Sequence, residues 1–170
     1  MNKLFCLKAI IFLIFSGSIT AQNKDFQQRG DLRIMFYNTE NFFDTIDDPR
    51  TSDNDFLPGS KLKWNRNFYF KKIKHIYQTV AAVGENSPPE IIGFSEIENR
   101  NVLSDLILHS PLEKFNYKVI HKDSPDLRGI DVGLIYRPDK VKCLKYSFFE
   151  MVFLTILIKR RGISYTSKDW

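Results

Sequence analysis

The stretch Pro89-Glu90-Ile91-Ile92-Gly93-Phe94-Ser95-Glu96-Ile97-Glu98-Asn99 decides the fold. Ile91, Ile92 and Phe94 form a short apolar run behind a Pro88-Pro89 boundary. Such a run predicts a strand, from about Glu90 to Glu96, buried on both faces of a sheet. Glu96 stands at its C-terminal end, where the chain turns polar. In open α/β sheets ligands bind outside the carboxyl ends of strands. A carboxylate there is a hard oxygen ligand placed for a divalent cation.

A second segment, Asp31 to Asp44, follows the same logic. Its apolar part predicts a strand from about Leu32 to Tyr37 that runs out into Asn38-Thr39-Glu40. In extended chain, residues two apart share a face. Asn38 and Glu40 are therefore expected side by side. A third segment, Arg128-Gly129-Ile130-Asp131-Val132-Gly133-Leu134-Ile135-Tyr136-Arg137-Pro138, puts a glycine-containing loop before a strand over 130–136.

These segments together resemble the opening motifs of the endonuclease/exonuclease/phosphatase superfamily, which includes pancreatic deoxyribonuclease, abasic-site endonucleases, bacterial sphingomyelinases and inositol-phosphate phosphatases. Asn38-x-Glu40 ends the first strand, Glu96 ends the second, and the segment from Arg128 resembles a loop and strand of secreted bacterial members. The resemblance covers residues 31–147. It implies a four-layer α/β sandwich, two packed mixed β-sheets flanked by helices, of which this chain holds the N-terminal half. It also implies hydrolysis of phosphate esters with Mg²⁺ (or Mn²⁺). Glu96 would be the main ligand, with Glu40 at the metal, and Asn38 beside them orienting the nucleophile or phosphate. Nucleic acid is the first substrate class; a phospholipid or sugar phosphate is the alternative. A non-catalytic remnant that holds metal or phosphate without turnover is the reading from another class.

The flanks of these segments leave choices open. Glu98 and Asn99 touch substrate or, for Asn99, cap the following helix. Arg128 pairs with a phosphate oxygen, held in place by Asp131, or the two form an ordinary loop salt bridge. The superfamily's Asn-His-Trp-type motif, its Asp-x-Asn strand end and its terminal Asp-His pair have no counterpart after Tyr136. The three histidines, His75, His109 and His121, lie in other contexts. A truncated, inactive fragment is the expectation.

Residues 1–21 have a secretory pattern. Lys3 and Lys8 flank an apolar core from Ala9 to Phe15, followed by small residues up to Ala21. This is too short for a membrane span. Cleavage near Ala21 would export the chain to the periplasm or beyond. Cys143 would then be the one remaining cysteine and the formal charge would fall from +5 to +3. That charge is compatible with phosphate-rich substrates but is far from a dedicated nucleic-acid arm. No stable protein partner is inferred.

Between these landmarks, residues 22–30 read as a polar linker. Residues 44–59 read as a solvated loop, because Asp47, Asp48, Asp53 and Asp55 lack EF-hand spacing. Trp64 to Val83 is a predicted helix with Trp64, Phe68, Ile73, Ile76, Val80 and Val83 as its apolar stripe and Gly84 as its stop. The basic residues in and just before it, Lys61, Lys63, Arg66, Lys71, Lys72 and Lys74, form the densest positive patch and read as a solvated face rather than a phosphate track. A second helix is predicted over 101–109, and a strand over 117–121 with His121 on one face.

The end of the chain is anomalous. Residues 148–158 are almost wholly apolar, with high β-propensity and no proline, a pattern prone to aggregation. The resemblance stops abruptly near Tyr146. Residues 148–170 are expected to be an aberrant tail read in a shifted frame. Permitted codons for residues 153–170 can be re-read as Pro-Asp-Asn-Pro-Asp-Lys-Lys-Thr-Arg-Asp-Ile-Leu-Tyr-Ile-Lys-Gly-Leu, a turn followed by a strand.

Overall fold

The computed structural model describes residues 32–85, 87–149 and 153–160, the last eight as backbone. The expected export signal and linker, the expected indel position at 150–152 and residues 161–170 lie outside the described residues. Strand β1 (Ile34–Phe42) is followed by helix α1 (Arg66–Gly84), strand β2 (Ile91–Ile97) and helix α2 (Arg100–Leu108). Strands β3 (Lys118–His121), β4 (Asp131–Tyr136), β5 (Val141–Phe149) and β6 (Phe153–Arg160) complete the order.

β1 and β2 pair in parallel, so the chain must cross over between them. Helix α1 makes that crossover. Asn65 starts it by accepting bonds from the N–H groups of Asn67 at 2.9 Å and Phe68 at 3.3 Å. Tyr69, Ile73, Ile76 and Val80 are its buried stripe. Ile73, Ile76 and Val80 are the expected stripe, while Trp64 precedes the helix, Tyr69 is buried in place of Phe68, and Phe68 and Val83 are about half exposed. β4 runs antiparallel to both β2 and β3, and the sheet order is β1-β2-β4-β3. It is a mixed four-stranded sheet with helices, an α/β fold.

Both faces of the central strand are buried, as its sequence requires. Ile92 and Phe94 join α1 and α2 in the main core, which includes Phe42, Ile73, Val102, Leu103 and Leu106. Ile91 joins Ile120, Leu134 and Val141 in a second cluster on the other face, so the start of β5 packs there. β5 and β6 form an antiparallel two-stranded sheet, and the apolar tail thus folds back over 153–160 instead of ending unpaired. Along β1 the second face is open: Ile34 and Phe36 are 67 % and 71 % exposed.

A clamp locks the start of the sheet. The Arg33 guanidinium donates to both oxygens of Glu90, at 2.9 and 3.3 Å, and to the carbonyls of Gly84 and Pro88, at 3.1 Å each. It ties the entry of β1 to the end of α1 and the entry of β2. Burial pushes the Glu90 carboxyl up, but the Arg33 bonds outweigh it and hold the group below its ordinary value. A depressed carboxyl contributes stability above its unfolded pKa and loses it as pH falls through the folded value. Glu90→Gln is therefore expected to cost about 2 kcal/mol near neutral pH, the scale of a charged hydrogen bond. The gap from wild type should close as pH drops below the ordinary carboxylate range. Urea melts of both proteins across that range test this; a gap independent of pH refutes it.

Candidate active site

The ends of β1 and β2 depart from regular strand at the same place. Asn38 pairs with Ser95, and pairing resumes at Phe42 with Ile97, so Thr39, Glu40 and Asn41 face the single residue Glu96. On the other side Ser95 opposes Val132 and Ile97 opposes Asp131, which leaves Glu96 without a partner there too. Glu96 is a bulge with respect to both neighbours, a device that re-aims side chains. Its φ is 57°, and Glu40 and Asn41 have φ 54° and 65°. Each positive φ at a residue other than glycine costs about 1 kcal/mol or more. Buried Thr39 offsets part of that, because its hydroxyl lies 2.8 Å from the carbonyl oxygens of both Ser95 and Glu96.

The bulges bring the expected residues together. The Asn38 amide donates to Glu96 Oε1 at 3.0 Å, and the Asn41 N–H donates to Glu96 Oε2 at 3.2 Å. Asn38 Oδ1 in turn accepts from the Glu40 N–H at 2.8 Å. Both ends of the Asn38 amide are engaged, so in this arrangement it orients Glu96. The Glu40 side chain is exposed beside them.

Lys72 also belongs here, although its sequence context placed it on a solvated helix face. Its Nζ donates to the Glu40 carbonyl at 3.0 Å. Burial lowers its pKa, while the nearby charges of Glu40 and Glu96 act the other way. A cation is thus fixed between helix α1 and the carboxylates. Period-3.6 reading identified the helix but not which of its lysines points at the strand ends.

Asn99 caps α2, accepting from the N–H groups of Asn101 at 2.7 Å and Val102 at 3.1 Å. Its amide nitrogen donates to Asp44 Oδ2 at 3.3 Å. The expected Arg128–Asp131 partnership does not form. Arg128 is held by Asp126, two residues back, at 2.6 and 3.1 Å. The bonds from Asp126 chiefly raise its pKa, and Glu96 adds to this, so the exposed guanidinium lies within reach of the Glu96 field. Asp131 is buried and accepts from the Ser124 N–H and from His121 Nε2, at 2.8 Å each. The local bond wins because Asp126 and Arg128 lie within one turn, whereas Asp131 has already entered β4.

His121 is nearly enclosed, with Asp131 at one ring nitrogen and Asp123 3.8 Å from the other. One ligand atom from each of these residues lies within 4.8 Å of the others, a possible metal-holding group. The sequence showed His121 only as a face of a strand. Beside this group, a cleft of about 270 Å³ runs between the 48–51 loop and the 123–129 loop, with Glu98, Asn99 and Asp131 along it.

Glu98, two residues past Glu96, is buried and accepts from the Asp44 N–H at 2.6 Å. Burial pushes its carboxyl up to about 8, and Asp44, Asp53 and Asp48 add to the effect. Loop 44–59 is not a simple solvated loop, since Asp53 is 1 % exposed. Aromatic rings pack along the same loop: Phe43 stacks on Phe56 at 4.1 Å, and Phe56 meets Trp64 edge-on at 5.9 Å.

The residues at the strand ends fit a divalent cation by their chemistry. Two carboxylates and an amide provide hard oxygen donors, and an ion such as Mg²⁺ needs only one or two protein carboxylates besides water. Among the described residues, no helix is long and apolar enough to cross a membrane. No curated protein matches this sequence. Residues 33–156 match the Endonuclease/Exonuclease/phosphatase family, slightly past the span expected from the motifs. With Glu96 and Asn38 joined at the ends of two parallel strands and that match covering most of its length, the chain belongs to the endonuclease/exonuclease/phosphatase family of metal-dependent phosphoesterases.

Proposed function

We propose that this chain is the metal-binding half of an exported, Mg²⁺-dependent phosphodiesterase of nuclease type. The observation that carries the proposal is the Asn38–Glu96 pair, extruded from two adjacent strands by coincident bulges. Strain is kept at this point and nowhere else along the two strands, which is the expected signature of a working site. Glu96 and Glu40 would hold the cation, whose role when bound is to neutralise charge on the phosphate and leaving oxygen. Asn38 and the Asn41 N–H fix the direction of Glu96. Lys72 limits repulsion between the carboxylates, and Arg128 offers a guanidinium to a phosphate oxygen.

The nuclease reading is supported by Lys72 at the strand ends and the exposed Arg128, since nucleic-acid backbones bind through such cations. The export reading rests on residues 1–21. The four-layer sandwich is supported by the open apolar stretch of β1 and by β5, which lies on the same side of the sheet as a second layer would. The acid–base motifs that the family resemblance implies are not in this sequence, so on this reading the chain alone is inactive. The shifted-frame reading accounts for that: the nucleotide sequence should carry an indel near the codons for 150–152. Its other frame should continue open into the missing His, Asp-x-Asn and Asp-His motifs. An early stop in that frame refutes the frameshift.

The function is tested on the protein expressed from the open frame. With Mg²⁺ it is expected to cleave plasmid DNA, to stop in EDTA, and to resume when Mg²⁺ is restored. Faster turnover of phospholipid vesicles or inositol phosphates than of DNA would favour the alternative substrate class. Activity undiminished in EDTA would overturn the proposal.

A further inference from the structure

The neck of the loop between β3 and β4 holds ligating side chains that the proposed reaction does not use. His121 is the last residue of β3 and Asp131 the first of β4. Both side chains are enclosed, at 3 % and 4 % exposure, with His121 Nε2 2.8 Å from Asp131 Oδ2. Asp123 lies between them in the chain and is exposed, its Oδ1 3.8 Å from His121 Nδ1. One ligand atom from each of the three lies within 4.8 Å of the others. Ligands about 2.2 Å from one ion can stand up to ~4.4 Å apart, so a small rotation of the exposed Asp123 closes the set. Asp123 and Asp131 also line the cleft of about 270 Å³, which gives an ion and its waters a way in.

The charge balance at this neck favours a cation. Arg50 reaches Asp123 only at 4.0 Å, because its short bonds go to Asp48 at 2.8 and 3.0 Å. Asp48, Glu98 and Asp126 line the same cleft. Buried charges are stable when they are paired or coordinate a metal. The donor set decides the kind of metal. Carboxylates alone suit Mg²⁺ or Ca²⁺, whereas an imidazole with carboxylates suits transition dications, among which Zn²⁺ binds such sites tightly. We propose that His121, Asp123 and Asp131 bind a transition dication of the Zn²⁺ class that ties together the two ends of loop 122–130, separately from the Glu96 site. One imidazole nitrogen and an oxygen from each carboxylate are its protein ligands. The loop is already held by Ser124 Oγ, 3.1 Å from the Ile130 carbonyl, and by the Ser52 N–H, which donates to the Leu127 carbonyl at 2.7 Å. The ion completes that closure beneath Arg128. Such a site stands or falls independently of the phosphoesterase reading.

Zn²⁺ added to the full chain in excess Mg²⁺ is expected to bind at one equivalent by calorimetry and to raise the unfolding midpoint. Binding should survive Glu96→Gln, which removes the strand-end ligand, and replacement of Cys6 and Cys143 by Ser, which removes both thiols. Asp123→Asn should weaken it at least tenfold. That side chain is exposed, so the variant should fold as wild type does, and circular dichroism checks this. Asp126→Asn, in the same loop but outside the group, should leave binding unchanged. One equivalent of Co²⁺ should shift or broaden the ring NMR signals of His121 and spare those of His75 and His109. No Zn²⁺ binding by the full chain, undiminished binding in Asp123→Asn, or unperturbed His121 signals would each overturn the site. So would loss of binding in Glu96→Gln or in the cysteine-free chain, which would place the ion elsewhere. Displacement of Zn²⁺ by Mg²⁺ at similar concentration would overturn its assignment to a transition metal.

Discussion

Replacing Glu96 with Gln in an active preparation is expected to lower phosphodiester hydrolysis at least ~100-fold, about 2.7 kcal/mol in barrier. Gln keeps the shape of the side chain and still offers one oxygen, to the Asn41 N–H or to the Asn38 amide but not to both. It removes the negative charge that a divalent cation requires. The loss should therefore be one of charge, with the fold unchanged by circular dichroism and the unfolding midpoint close to wild type. The bulge makes this separation possible: Glu96 is paired in neither ladder, so no sheet register depends on its side chain. Its backbone is held instead by Thr39. Saturating Mg²⁺ should recover little of the rate. Near-normal activity at high Mg²⁺ would mean that the cation is held elsewhere, and the His121–Asp123–Asp131 group would become the leading candidate.

Much of this arrangement was legible in the sequence. The apolar run at 91–94 identified a doubly buried strand because both faces of that strand are covered. Asn99 was readable as a cap, since a short polar side chain before an apolar periodic stretch has few better uses. The bulges were not readable. Period-two alternation predicted that Asn38 and Glu40 share a face, yet three residues of β1 are spent against Glu96 alone. Positive φ angles at Glu40, Asn41 and Glu96 carry no glycine to announce them. Nor did the sequence separate Asp53 from its neighbours in loop 44–59. Four aspartates in a polar stretch look equally solvated, yet Asp53 is buried and accepts from the Asp48 N–H at 3.0 Å. Arg128 shows the same limit at short range, since two acceptors were available and local geometry chose Asp126.

The largest stability effect is expected at Phe42, where β1 recovers its register after the bulge. Phe42 is fully buried, stacks on Tyr69 at 5.7 Å and pairs with Ile97, while its carbonyl accepts from the Glu98 N–H at 3.1 Å. Phe42→Ala removes the ring from the centre of the main core and leaves a cavity between β1 and α1. Such truncations cost about 3–5 kcal/mol. Against a typical domain stability of about 5–15 kcal/mol, this is a large fraction. Phe36→Ala on the same strand is the control. That ring touches Gly93 but is 71 % exposed, so its loss should cost less than ~1 kcal/mol. Urea midpoints for the two variants should therefore separate widely, although both remove the same atoms from the same strand. Equal losses would mean that Phe36 is covered in the folded protein by something outside the described residues. A loss below ~1 kcal/mol at Phe42 would mean that the strand end does not anchor there. In that case the bulge holding Glu96 would need another support than the core beneath it.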